Sequence, residues 1–184
     1  MLKTVLLSLL AILATGIVVV LILAAMKPDT FQVQRAIAIN APPERIYPLI
    51  ADFRAWGAWS PWEKKDPNLK RSFSGAETGK GAIYTWTGDK NVGEGSMEIV
   101  TAEPSSKVGL KLDFIKPFEA HNAAVFALQP QGTTPQGPAT NVTWTMTGPT
   151  PFFAKIIHVF FNMDRMVGGD FEAGLASLKA QAER

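Results

Sequence analysis

Between Lys3 and Lys27 the chain carries no charged side chain, and Val5–Met26 is apolar but for Ser8, Thr15 and Gly16. At about 1.5 Å per helical residue, those 22 residues match a hydrocarbon core of roughly 30 Å. Past Pro28 the pattern changes period. Phe31–Ile39 alternates apolar and polar, the signature of a half-buried strand. Asn40-Ala-Pro-Pro-Glu44 then reads as a helix start: Asn40 or Ala41 at the cap, prolines in the first turn, Glu44 at the positive end of the dipole. Ile46, Leu49 and Ile50 supply its apolar face. Pro48 removes a backbone donor and is expected to kink this helix or end it early. Asp52 can cap a second short helix carrying Trp56 and Trp59 on one face, and Ser60-Pro61 stops it before Trp62.

Six further runs show strand period with turn residues between them: Leu69–Ser74, Gly81–Thr87, Gly95–Thr101, Lys107–Ile115, His121–Leu128 and Asn141–Thr147. Short connections between them predict an antiparallel meander. Gln129–Thr140, rich in Pro, Gly, Gln and Thr, is expected to be an exposed hairpin loop. From Pro151 onward the apolar spacing is helical. Ile156, Val159, Phe160, Met163, Met166 and Val167 form one segment, and Phe171, Leu175 and Leu178 another. The two are expected to meet at Gly168-Gly169 through a bend or close packing. The chain therefore reads as an α+β domain over residues 28–184, its last helix laid on a curved sheet, with a transmembrane anchor or uncleaved signal over 1–27.

Composition narrows the chemistry. Zero Cys removes disulfides, thiolate metal sites, Fe–S clusters and cysteine nucleophiles. The formal net charge is +2, but Met1–Lys27 holds Lys3 and Lys27 and no acid, so the remainder is neutral. Lys64-Lys65 and Lys70-Arg71, the longest basic runs, read as solvated surface, and nucleic acid is not an expected partner. Leu23-Ala-Ala-Met26 lacks a small residue three positions before a cut at Ala25, which favours an anchor over a cleaved signal. Positive-inside logic puts the N-terminus in the cytoplasm and the domain outside.

Strand parity puts Met97 and Ile99, Leu110, Leu112 and Phe114, Phe126, and Trp144 and Met146 on one face. With Trp56, Trp59 and Trp62 at one end and Phe171 from the last helix, these residues are either a pocket wall or a solid core. For acid–base chemistry only His121, Tyr84 and Glu119 offer themselves, and Glu119 shares a strand face with His121. His158 lies among apolar helix residues and reads as packed. Glu94, Glu98, Asp113, Asp170 and Glu172 read as solvated. Neither histidine has a second ligand at metal spacing, and no nucleophile elbow, Walker or dinucleotide fingerprint is present. No metal or cofactor is expected.

Three stretches carry a family likeness: Ala41-Pro-Pro-Glu-Arg-Ile-Tyr47 with Asp52-Phe53, Trp56 and Trp59-Ser-Pro-Trp62; Gly137–Gly148; and Asn162–Lys179. With the order strand, two short helices, strands and long helix, they resemble the helix-grip fold of the polyketide cyclase/dehydrase and lipid-transport (SRPBCC, START-like) superfamily, in particular its membrane-anchored bacterial members. The resemblance spans roughly Thr30–Lys179. It implies a deep apolar cavity between sheet and long helix that takes lipids, polyketides, sterols or hormones, and in some members cyclisation or dehydration. The expected function is a membrane-tethered binding domain for an apolar small molecule or lipid. The alternatives are a cyclase/dehydratase-type enzyme on the same fold, and an interaction domain with a filled core.

Overall fold

The computed structural model describes residues 2–134 and 137–184. Helix α1 (Leu2–Ala25) leaves its apolar side chains exposed along most of its length, and only Ala24 is buried. Residues Met26–Asp29 lead into β1 (Thr30–Ile39), followed by α2 (Pro43–Ala51) and two 3-10 turns, Phe53–Ala58 and Pro61–Lys64. The remaining strands are β2 (Lys70–Gly75), β3 (Ala82–Thr87), β4 (Glu94–Glu103), β5 (Lys107–Lys116), β6 (Ala120–Thr134) and β7 (Gly137–Pro149). Helices α3 (Phe152–Phe160) and α4 (Met163–Ala182) close the chain. One antiparallel sheet holds all seven strands in the order β1-β7-β6-β5-β4-β3-β2. This curved sheet with α4 laid on it is the helix-grip arrangement.

Period-two alternation is obeyed along the sheet. On β7, Val142, Trp144 and Met146 are buried while Thr143, Thr145 and Thr147 are half-buried on the other face. Helix α4 answers with Phe171, Leu175, Leu178 and Ala182, a stripe at helical spacing that is buried throughout. Fully burying each large apolar side chain is worth about 1.5–3 kcal/mol, so this stripe dominates the docking of α4.

Several local expectations are corrected. Pro42 is the N-cap of α2, without a side-chain cap bond, rather than Asn40 or Ala41. Helix α2 continues through Pro48 to Ala51 and does not end early. Gln129–Thr140 is not an open loop: β6 runs to Thr134 and β7 starts at Gly137, with a register shift between Pro130 and Thr133. Residues 135–136 of that stretch lie outside the described residues. The two C-terminal helical segments meet at Phe161-Asn162, where Asn162 Oδ1 accepts from the Asp164 and Arg165 amides as a cap. Gly168 and Gly169 lie inside α4, with no break there. Gly168 is instead a close-packing point, because the guanidinium of Arg35 on β1 lies against it.

Arg35 occupies an inward position of β1 between Val33 and Ile37, where parity places an apolar residue. Its charge is met from α4. Arg35 Nη1 donates to Asp164 Oδ1 at 2.7 Å, and Arg35 Nε to Glu172 Oε1 at 2.6 Å. Asp164 and Glu172 are thus partners across the sheet–helix seam rather than free surface acids. The Arg35 hydrogen bonds hold the Asp164 carboxyl below its ordinary range.

Candidate functional site

The inward positions of β4 to β7 face the two 3-10 turns and α4, and this is where the expected wall residues come together. Ile99, Leu110, Phe126, Trp144 and Met146 are buried; Met97, Leu112 and Phe114 are half-buried and pack on them. From the opposite side come Trp56 on the first turn, Trp59 at its C-cap, Trp62 on the second turn and Phe171 on α4.

These aromatics form one connected stack. Trp144 and Phe171 lie face to face with ring centroids 4.0 Å apart, and Phe126 stacks on Trp144 at 4.7 Å. Trp59 meets Trp144 edge-on at 5.8 Å, Trp62 does so at 5.6 Å, and Trp56 touches Trp59 at 4.7 Å. Glycine lets α4 come this close, since a Cβ on Gly174 would sit 3.0 Å from Trp144 Cζ3 and 3.1 Å from Pro61 Cδ. These rings pack on one another where the resemblance implies a deep cavity. Two grooves lie elsewhere. One of about 330 Å³ is lined by Leu23, Met26, Lys27 and Val159, and one of about 260 Å³ lies beneath α3 near Phe31, His158 and Phe161.

The indole N–H groups separate the tryptophans by role. Trp56 Nε1 donates to the Ile50 carbonyl at 2.9 Å, and Trp59 Nε1 to Leu49 at 2.8 Å. Those carbonyls belong to the last turn of α2, where no intrahelical partner exists, so the two indoles cap a helix while filling the core. Trp144 Nε1 differs. It is fully buried and has no acceptor within hydrogen-bonding reach. A buried donor left unmet costs about 1–3 kcal/mol.

A second cluster lies where β3 and the edge strand β2 meet the second 3-10 turn. Tyr84, inward on β3 and buried, donates its hydroxyl to Glu63 Oε1 at 2.6 Å. Arg71 Nε on β2 donates to the other oxygen, Oε2. The Glu63 side chain is only 7% exposed, while Arg71 on the edge strand is exposed, as its sequence context suggests, and reaches the shielded carboxylate from the solvent side. Burial first, and the Glu63 contact second, push the Tyr84 hydroxyl above its ordinary range, so it stays protonated as a donor. Glu63 had no signal in the sequence beyond its place between Trp62 and Lys64-Lys65.

The other acid–base candidates lie elsewhere. His121 and Glu119 sit at the start of β6, and His121 points to the outer face with its side chain 63% exposed. Its Nδ1 is 2.7 Å from Asp113 Oδ1 and its Nε2 3.4 Å from Glu119 Oε1. The Asp113 contact, then the charges of Asp113 and Glu119, raise the His121 pKa. This triad faces away from the aromatic stack. His158 packs edge-on to Phe31 at 6.3 Å. Among the described residues, no three His, Cys, Asp or Glu side chains converge as a metal ion requires.

Residues 30–183 match the family model described as polyketide cyclase/dehydrase and lipid transport. Solved structures repeat the fold at low identity. A Thermobifida fusca protein aligns at TM-score 0.57 and 20% identity, over 82% of this chain and 92% of its own. A Chromobacterium violaceum protein aligns at 0.56 and 14%, over 85% and 99%. Norcoclaurine synthase from Thalictrum flavum, in complex with dopamine and hydroxybenzaldehyde, aligns at 0.59 and 11%, over 88% of each. No curated relative matches the chain in sequence.

Proposed function

The chain belongs to the polyketide cyclase/dehydrase and lipid-transport family, and from that premise we propose that it is a membrane-tethered binding domain for an apolar small molecule or lipid. The ligand lies between the sheet and α4, and the indole N–H of Trp144 orients it. The observation that carries this reading is the Trp144 donor, buried in an apolar setting with no acceptor. A ligand carbonyl or hydroxyl would supply that acceptor. Its hydrocarbon would replace ring contacts made by Trp62 and Phe171 as the second 3-10 turn and α4 move outward. Each buried methylene contributes about 0.8 kcal/mol, so a chain of moderate length reaches micromolar affinity. Helix α1 crosses the bilayer from a cytoplasmic N-terminus and keeps the domain where such ligands partition.

Native mass spectrometry of the full chain released from detergent tests the proposal, with an organic extract analysed beside it. A bound apolar mass is expected, and Trp144→Phe, which keeps a ring and loses the donor, should weaken it about two- to tenfold, the worth of one neutral hydrogen bond. A bare protein that also takes up no fluorescent fatty acid overturns the proposal and leaves an interaction domain with a filled core.

One observation favours a second reading, an enzyme of cyclase or dehydratase type. The Tyr84 hydroxyl sits beside a shielded carboxylate on the inward face of the sheet. A protonated phenol paired with Glu63 is the element a proton transfer to bound substrate requires. Turnover that survives Trp144→Phe but not Tyr84→Phe would select this reading.

A further inference from the structure

Helix α3 has the wrong polarity for a helix facing water. Its apolar side chains Phe152, Phe153, Ile157 and Phe160 point outward, and Phe161 and Met166 extend the same exposed patch. Phe153 is 69% exposed and Phe160 66%. Its polar side chains point the other way. Lys155 is buried against the domain with its Nζ 2.6 Å from Asp29 Oδ1, and His158 packs on Phe31. Helix α4, which follows directly, shows the ordinary arrangement of the same chain, with Phe171, Leu175 and Leu178 inside and Asp164 and Glu172 outside. The inversion is therefore local to α3.

The neighbour of α3 says what covers it. α3 packs on α1, and Val159 shares a groove with Leu23 in the last turn of that helix and with Met26 just after it. The outward face of α3 thus lies beside the lipid-compatible surface of α1, with Lys27 lining the groove between them. Phenylalanines at the foot of a spanning helix suit the depth of the headgroup boundary, and Lys27 beside them can reach the aqueous side. We infer that α3 is an interfacial helix that lies in the bilayer surface beside α1 and seats the domain on the lipid. This inference rests on the reading of α1 as a membrane span.

The chain contains no cysteine, so single cysteines report cleanly. The full chain is reconstituted in phosphatidylcholine vesicles with a nitroxide at Phe153→Cys or Phe160→Cys, both exposed and tolerant of change. Ile12→Cys reports α1, and Val100→Cys, exposed on β4, reports water. Collision rates with oxygen and with a water-soluble nickel chelate are compared. Labels at 153 and 160 are expected to favour oxygen severalfold, at a depth of about 5–10 Å, while the label at 100 favours nickel. Labels at 153 and 160 open to nickel while 12 is in lipid would overturn the inference and leave the tether intact. Shielding of both from both reagents would also overturn it, in favour of a protein partner such as a second copy. Nickel access at 12 would overturn the tether and the inference together.

Discussion

The indole of Trp144 and the ring of Phe171 lie 4.0 Å apart with 6° between their planes. One belongs to β7 and the other to α4, so this contact joins the helix directly to the middle of the sheet. Phe171→Ala removes a fully buried ring and is expected to cost about 3–5 kcal/mol, read from the denaturation midpoint of the detergent-solubilised chain. The same variant opens space beside Trp144, so added indole should raise its melting temperature and leave that of the parent unchanged. A loss below 1 kcal/mol would mean that the sheet and helix do not meet through this stack.

Glu63 holds two donors, Tyr84 and Arg71, and the order of their variants follows from what each leaves behind. Glu63→Ala strands a buried hydroxyl and a guanidinium and should destabilise by about 1–3 kcal/mol. Tyr84→Phe removes the hydroxyl while Glu63 keeps Arg71, so its cost should be about 1 kcal/mol or less. Equal costs for the two would show that the carboxylate is not shared.

Gly168 and Gly169 are adjacent in α4 and should answer oppositely to alanine. A Cβ on Gly169 meets nothing within 4 Å, so Gly169→Ala should stabilise by about 0.5–1 kcal/mol through helix propensity. A Cβ on Gly168 collides with the Arg35 guanidinium, which must leave Asp164 and Glu172. Gly168→Ala should therefore gain less or lose. Thermal melts of the two variants side by side decide it.

The two histidines should titrate on opposite sides of 6.5, the ordinary value. His121 is raised by Asp113, so its contribution to stability is complete below about pH 6.5 and is lost as pH rises through its folded pKa. His158 is lowered by burial and by the charge of Lys27. Its effect runs the other way, with stability lost as pH falls from about 6.5 towards its folded pKa. Proton NMR of the imidazole resonances checks both, and Asp113→Asn should bring the His121 midpoint down.

Most strands and the long helix were legible because one face of each is buried, which leaves a period of two or of 3.6 in the sequence. The stripe Phe171, Leu175 and Leu178 lies where its spacing puts it. The α3–α4 break was also written there: Asn162 with Asp164 two residues on is a helix start, but the apolar run across Phe160, Met163 and Met166 reads as one helix. Pro130 and Pro138 made the tip of the β6–β7 hairpin look like a loop, although a register shift accommodates them within paired strands. Arg35 sits at an inward parity and could have been marked as a buried charge in need of partners. The cluster of Glu63, Arg71 and Tyr84 could not be found in the same way. It joins a turn to two strands, and no period relates the three. The aromatic stack was not legible either, because the same inward residues line a pocket or meet one another according to how near α4 approaches.

Four residues, Met26–Asp29, lie between the end of α1 and the start of β1, and the Thr150 amide pins the last of them by donating to the Asp29 carbonyl at 2.7 Å. Fully extended, such a leash reaches no more than about 14 Å. A domain hung so short has no radius in which to swing. With α1 spanning the bilayer as proposed, it would meet a ligand by sliding in two dimensions within one leaflet's headgroup plane, and would not ferry a molecule across a gap to an opposing membrane.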